Sequence, residues 1–388
     1  MLINRHKINM TNIYILFFVF NMLFNMLAFT GIKAYTLYVS SLVILYALIL
    51  FFAVIIDLKT LFKDLCYLAV LGIYCLFSTF VTGGGIGSVL SNMLPLVLLC
   101  CLELYEVDQK FKFIICACAV LMVVVFATMS VIMTEYNHWL LGEINPNTVG
   151  IFTVSLFALW CTFTKFIGWK EKLLFVLFLL LSIMTIINVM ARTSLIGMCV
   201  YLVLFVIPSR YFTPKFTFVV HIFVVLVALL LPLVYLYMYR NGVQLTLFGK
   251  NLFTGREGVW EKMFAFMDEK GAMGWLYGIG SHTAIHGEKF NSHNSYYSIT
   301  ACFGVFGLIG FVLFYVLKLK NVIKYSQDKE IKNLFIIFIT MCFMSGFETL
   351  FNVFSTTFVI FLPLGMAMCR ARKLEKESRL SAKLDMLQ

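Results

Sequence analysis

Three segments of this chain carry residues whose types could do chemistry: Arg192 in "NVMARTSLIGM", Arg256 in "TGREGVW" and His293 in "KFNSHNSYYS". An imidazole titrates near neutrality, so His293 could take a proton from a hydroxyl or bind a phosphate oxygen. Thr254 and Glu257 match a capping box, and Val259, Trp260, Met263, Phe264 and Met267 then recur near helical spacing. A helix over 255–269 follows, with Gly271 and Gly274 marking its end. Arg256 then sits in the first turn, where a cation opposes the helix dipole. It becomes favourable there if the side chain and the free N–H groups share an anion such as a phosphate. Arg192 joins two apolar runs with almost no polar loop, and a charge at such depth is costly unless it faces a polar cavity.

Each residue also has a plainer reading. Arg256 could be a surface arginine, and Arg192 could snorkel to the interface. Asn291, Ser292, Asn294 and Ser295 are all helix-cap types, which leaves His293 as interfacial packing. In "GEINPNTVG", Asn145 and Pro146 fit a cap followed by a first-turn proline, while Asn147 could contact a polar ligand. Glu348, in "MSGFETLFN", is either interfacial or a carboxylate able to act as a base or to orient one. His282 and His286 are spaced for one helical face, but the glycines around them argue against a helix, and no metal site is expected.

The elements that must position these residues follow from composition. The chain has 388 residues, 62% of them hydrophobic and 13% charged, with a mean hydropathy of +0.95. A soluble domain cannot carry this much apolar surface, so the fold class is an all-α polytopic membrane protein. The 11 cysteines fall in or beside apolar runs and form no CxxC, which makes them apolar filler. Twelve spans are expected, near 12–32, 34–56, 65–82, 89–105, 113–134, 148–166, 173–191, 195–208, 216–239, 295–317, 333–350 and 353–369. The first reads as an uncleaved span, for no small-residue cleavage site precedes the next apolar run.

The net charge of +11 suits lysines and arginines retained on the cytoplasmic side better than a nucleic-acid partner. With the N-terminus inside and the spans alternating, 22 of the 30 Lys and Arg fall inside. Six of the eight outside lie in one long loop, 240–294, where the bias is weakest. Both termini are then cytoplasmic, and residues 1–369 form one transmembrane helical domain. Residues 370–388 form a charged cytoplasmic tail read as a surface helix. Arg192, Arg256, His293 and Glu348 all fall at the outer face.

In order, "INPNTVG", "ARTSLIGM", "TGREGVW", "GWLYGIGSH" and "SHNSYYSITACFGVFGLIGFVLFY" resemble the O-antigen ligase and O-antigen/capsule polymerase superfamily of bacterial membrane glycosyltransferases. The resemblance covers roughly 142–317. It implies a fold like that of family C glycosyltransferases. It also implies an undecaprenyl-diphosphate-linked oligosaccharide as donor, at the outer face of the bacterial cytoplasmic membrane. The family's two arginines map onto Arg192 and Arg256 and its histidine onto His293, with Asn294, Asn147, Tyr296 and Glu348 as candidate substrate-binding residues. No cofactor or catalytic metal is expected. The partners implied are the lipid-linked donor and acceptor, with a chain-length regulator and a flippase in the same pathway. Polymerase is the preferred expectation, on the grounds of a compact chain with a modest loop. A ligase passing finished glycan to lipid A core, protein or wall is the alternative, and a non-enzymatic flippase is the second.

Overall fold

With no water in the hydrocarbon layer, a chain must satisfy its own backbone, and helices do so within each segment. The computed structural model describes residues 35–135, 146–243, 246–247, 250–251, 256–280, 284–285, 288–289, 292–351 and 354–385. The order is α1 (Tyr35–Thr82), α2 (Ile86–Leu102), α3 (Gln109–Glu135), α4 (Pro146–Phe163), α5 (Trp169–Asn188), α6 (Arg192–Val206) and α7 (Pro214–Arg240). It continues with α8 (Arg256–Glu269), α9 (Gly271–Tyr277), α10 (Ser295–Lys324), α11 (Lys329–Met344) and α12 (Phe354–Asp385). The only sheet among the described residues is two antiparallel ladders of two-residue strands, Thr246–Leu247 with Lys250–Asn251 and Ala284–Ile285 with Glu288–Lys289.

Among the described residues, five helices are long and apolar enough to cross a membrane: Asp57–Thr82, Gln109–Ile132, Trp169–Asn188, Pro214–Arg240 and Ser295–Lys324. Ile86–Leu102, Asn147–Phe163 and Arg192–Val206 are apolar but shorter. The expected span 12–32 lies outside the described residues. Where a connection over 57–64 was expected, the chain stays helical on both sides of one break. Asp57 leaves helical geometry (φ −155°, ψ 75°). Its carboxylate accepts from Thr60 N at 3.1 Å and Thr60 Oγ1 at 2.8 Å, so it caps the turn that follows. Residues 370–385 continue α12 without a break.

Charged groups from several connections gather into ion pairs. Lys318 meets Asp64 and Glu103, Lys112 meets Glu330, and Arg372 meets Asp57. Lys332 donates to Phe205 O and Ile207 O. These contacts collect the connections near 57–64, 103–112, 205–215 and 318–332 at one end of the bundle.

At the other end α10 is broken. Gly304 has φ 68° and ψ −172°, and a Cβ there would stand 2.1 Å from Leu276 O. Only glycine allows that approach at positive φ. The end of α9 fills the break: Ile279 N donates to Ala301 O at 2.7 Å. Tyr74 Oη lies 2.9 Å from Phe303 O and 2.8 Å from Leu276 O. Ser78 Oγ lies 2.5 Å from Tyr277 O. Irregular backbone is therefore partnered where two halves of a helix meet. The same segment settles where α8 stops. Gly271 (φ 59°) separates α8 from α9, whereas Gly274, expected to end the helix, lies inside α9.

Candidate functional site

α8 starts at Arg256, as the spacing predicts, and its inward face buries Arg256, Glu257, Trp260, Met263 and Met267. Thr254 of the expected capping box lies outside the described residues. Arg256 is 8% exposed. Its Nη1 donates to Phe347 O at 2.5 Å and its Nη2 to Glu348 Oε1 at 2.5 Å. The other oxygen of Glu348, Oε2, is 3.5 Å from His293 Nδ1. Glu348 thus sits between an arginine and an imidazole, with its own side chain 5% exposed and that of His293 30% exposed.

The turn carrying Glu348 follows α11 and is the second irregular segment at this end. Ser295 N donates to Ser345 O at 2.8 Å. Asn294 Nδ2 donates to Gly346 O at 2.7 Å. Ser295 Oγ donates to Glu348 O at 3.0 Å and accepts from Leu350 N at 2.6 Å and Phe351 N at 3.2 Å. Together with Arg256, these groups satisfy the carbonyls of residues 345–348 in sequence. A backbone that is not helical can be buried only with such partners.

His293 is placed by its neighbours. Trp260 Nε1 donates to Ser292 O at 2.6 Å, tying the residue before His293 to α8. Asn294 Oδ1 accepts from Tyr297 N at 3.0 Å and caps α10. Between them His293 has φ 45°, a left-handed conformation that costs a non-glycine residue free energy. Met190 (φ 53°) is the only other such residue among those described, and it lies two positions before Arg192. It ends α5 in a Schellman-type turn, with Ala191 N donating to Ile186 O at 3.0 Å and Met190 N to Ile187 O at 2.9 Å. That turn releases Arg192 as the first residue of α6.

Arg192 is partly exposed, and the positive charge of Arg256 acts on it, so the two cations share one region. Packing holds α6 there. A Cβ on Gly150 of α4 would lie 2.5 Å from both Ala191 Cβ and Ser194 Oγ, so the side chains at the start of α6 press directly on the α4 backbone. α11 packs along α6 as well. Asn147 is half-buried in the first turn of α4, one turn before Gly150.

The structure therefore brings Arg256, His293 and Glu348 together, with Arg192 close enough to feel the charge of Arg256. It turns two expected substrate contacts to other work. Asn294 is fully buried and its amide is spent on capping α10 and holding Gly346 O. Tyr296 is buried, its hydroxyl donating to Cys342 O at 3.0 Å and its ring edge-on to Phe351. Both are positioning residues, because neither offers a free polar edge. Ser295 and Trp260 were missed as members of the site. The sequence signal for Ser295 was its cap type, which concealed its hold on a turn more than fifty residues away. His282 and His286 lie outside the described residues, and no metal-binding group of His, Cys, Asp or Glu occurs among the described ones.

No protein-family model matches the chain, and no curated protein matches it either.

Proposed function

We propose that the chain is a bacterial membrane glycosyltransferase. In this reading it polymerises undecaprenyl-diphosphate-linked oligosaccharide repeat units into capsule, exopolysaccharide or O-antigen at the outer face of the cytoplasmic membrane. The observation that carries the reading is the convergence of Arg192, Arg256, Glu348 and His293 at one end of an apolar bundle. The family C type of fold, the twelve spans and the inward termini belong to the same proposal.

The chemistry is a displacement at the anomeric carbon. The acceptor hydroxyl attacks, the bond to the diphosphate breaks, and the lipid diphosphate leaves with its charge. Arg192 and Arg256 offer guanidinium donors to that charge, aided by the N-terminus of α8. Glu348 faces His293 Nδ1. A proton held on Nδ1 leaves Nε2 free to accept the hydroxyl proton. Arg256 has a second duty, since it also holds the turn at Phe347 and Glu348. It fixes the carboxylate that orients the imidazole, so both halves of the reaction run through one side chain.

The test is the surface glycan of a strain lacking the gene. A polymerase leaves single repeat units on the normal carrier. Accumulated lipid-linked polymer identifies the ligase alternative, and repeat units trapped inside identify a flippase. Either of those two results displaces the polymerase reading.

A further inference from the structure

The opposite end of the bundle contains a cavity of about 1020 Å3, separate from the arginine pair. It lies among the break of α1 at Asp57, the connection after α2, the starts of α3 and α11, and the stretch Met366–Lys376 of α12. Its charge is sorted by origin. α12 supplies the bases Arg370, Arg372, Lys373 and Lys376, while α1 and the connection supply the acids Asp57, Glu103, Glu106 and Asp108. Lys112 and Glu330 add one charge of each sign. The lining is therefore neutral and polarised.

Most of these charges are already committed. Arg372 holds Asp57 at 2.5 Å and Lys373 holds Glu106 at 2.5 Å, strapping α12 to the acidic side. Lys112 holds Glu330 at 2.7 Å. Lys318 takes Glu103 at 2.7 Å, and Arg370 takes Asp328 at 3.2 Å. What is left is one cation and one anion. Lys376 is exposed and has no carboxylate in ion-pair reach among the described residues. Asp108 spends one oxygen on Phe111 N at 2.8 Å, capping α3, and keeps the other. A ligand with only negative charge meets no surplus of bases here. A ligand carrying both a phosphate and an amine matches the pair that remains.

The third wall identifies where such a ligand comes from. Val54, Ile55 and Leu58 line the cavity and are 40, 57 and 56% exposed. An apolar flank that is both cavity wall and outer surface opens the space sideways toward lipid. Basic pockets at the membrane-facing ends of helices are known headgroup sites, and this one adds carboxylates to the bases.

We propose that this cavity holds the headgroup of a zwitterionic aminophospholipid, with its phosphate on Lys376, its ammonium on Asp108 and its acyl chains along Val54, Ile55 and Leu58. A primary ammonium has three N–H donors for carboxylates, whereas a choline has none, so the site distinguishes the two.

The test uses the full chain purified in detergent. Co-purified lipid is identified by mass spectrometry, and thermal unfolding is followed with phosphatidylethanolamine, phosphatidylcholine, phosphatidylglycerol or soluble phosphoethanolamine added. The expected result is retention of phosphatidylethanolamine and stabilisation by it above the other two lipids. Lys376→Glu should weaken that retention by about tenfold, the scale of one charge-assisted hydrogen bond. Lys376→Arg should keep it, which separates lost binding from lost folding. Equal or better stabilisation by phosphatidylglycerol or phosphatidylcholine overturns the proposal, as does retention unchanged in Lys376→Glu. Soluble phosphoethanolamine acting as well as the lipid overturns the lipid as the source.

Discussion

At one end of the bundle Lys373 meets Glu106 with side chains 46 and 67% exposed. At the other, Arg256 meets Glu348 with side chains 9 and 5% exposed. The first pair belongs to a set of ion pairs that tie neighbouring helix ends to one another. Water screens it, so its energy is small and its loss is tolerable. The second pair is buried, shares its arginine with a backbone carbonyl, and shares its carboxylate with His293. Desolvation makes such a pair expensive to build and more expensive to break, because the remaining partner is stranded. The Lys373–Glu106 pair lies at the exposed rim, whereas the Arg256–Glu348 pair is buried where the backbone is irregular.

That contrast can be broken from either side. Arg256→Ala should be the most damaging change, since it strands Glu348 and frees Phe347 O. Removal of one partner from a buried pair costs about 3–5 kcal/mol, measured as lost thermal stability in detergent. Exchanging both partners, as in Arg256→Met with Glu348→Leu, should recover a large part of that stability without recovering activity. Gly304→Ala should follow, at about 1–3 kcal/mol or more, because it combines positive φ with a clash against Leu276 O. Ser295→Ala should cost about 1–3 kcal/mol by leaving Leu350 N and Phe351 N without their acceptor. Lys373→Ala should cost about 1 kcal/mol or less. If Lys373→Ala rivalled Arg256→Ala in stability, the distinction between the two ends would fail.

Much of the local structure was legible in the sequence. Pro146 begins α4, and the periodicity after Thr254 gives a helix that begins at Arg256 and ends at Glu269. Both signals are local, one the fixed φ of proline and the other the spacing of apolar residues. The clustering of Arg192, Arg256, His293 and Glu348 was approached through charge counting, which set all four at one end. What the sequence concealed was long-range backbone satisfaction. Nothing near Gly304 shows that α9 will enter a break in α10, because Tyr74 lies more than two hundred positions from Leu276. Asn294 and Tyr296 looked able to meet substrate because cap residues and aromatics have polar edges. Those edges are consumed by Gly346 O and Cys342 O, partners on a turn and a helix that only folding brings near. At Asp57 the local polar residues suggested a loop, but the carboxylate caps the next turn and the helix resumes.

The central claim is that the two arginines receive the charge of a departing lipid diphosphate. Arg192 offers the cleaner probe, since Arg256 also holds the turn at Phe347 and Glu348. The direct measurement is polymer formation by purified protein in lipid vesicles supplied with undecaprenyl-diphosphate-linked repeat units. The wild type should build chains, and Arg192→Ala, folded by its thermal transition, should lose about 100-fold or more of the rate, as removal of one preorganised donor to developing charge does. Chains of normal length made at an undiminished rate by Arg192→Ala would contradict the account.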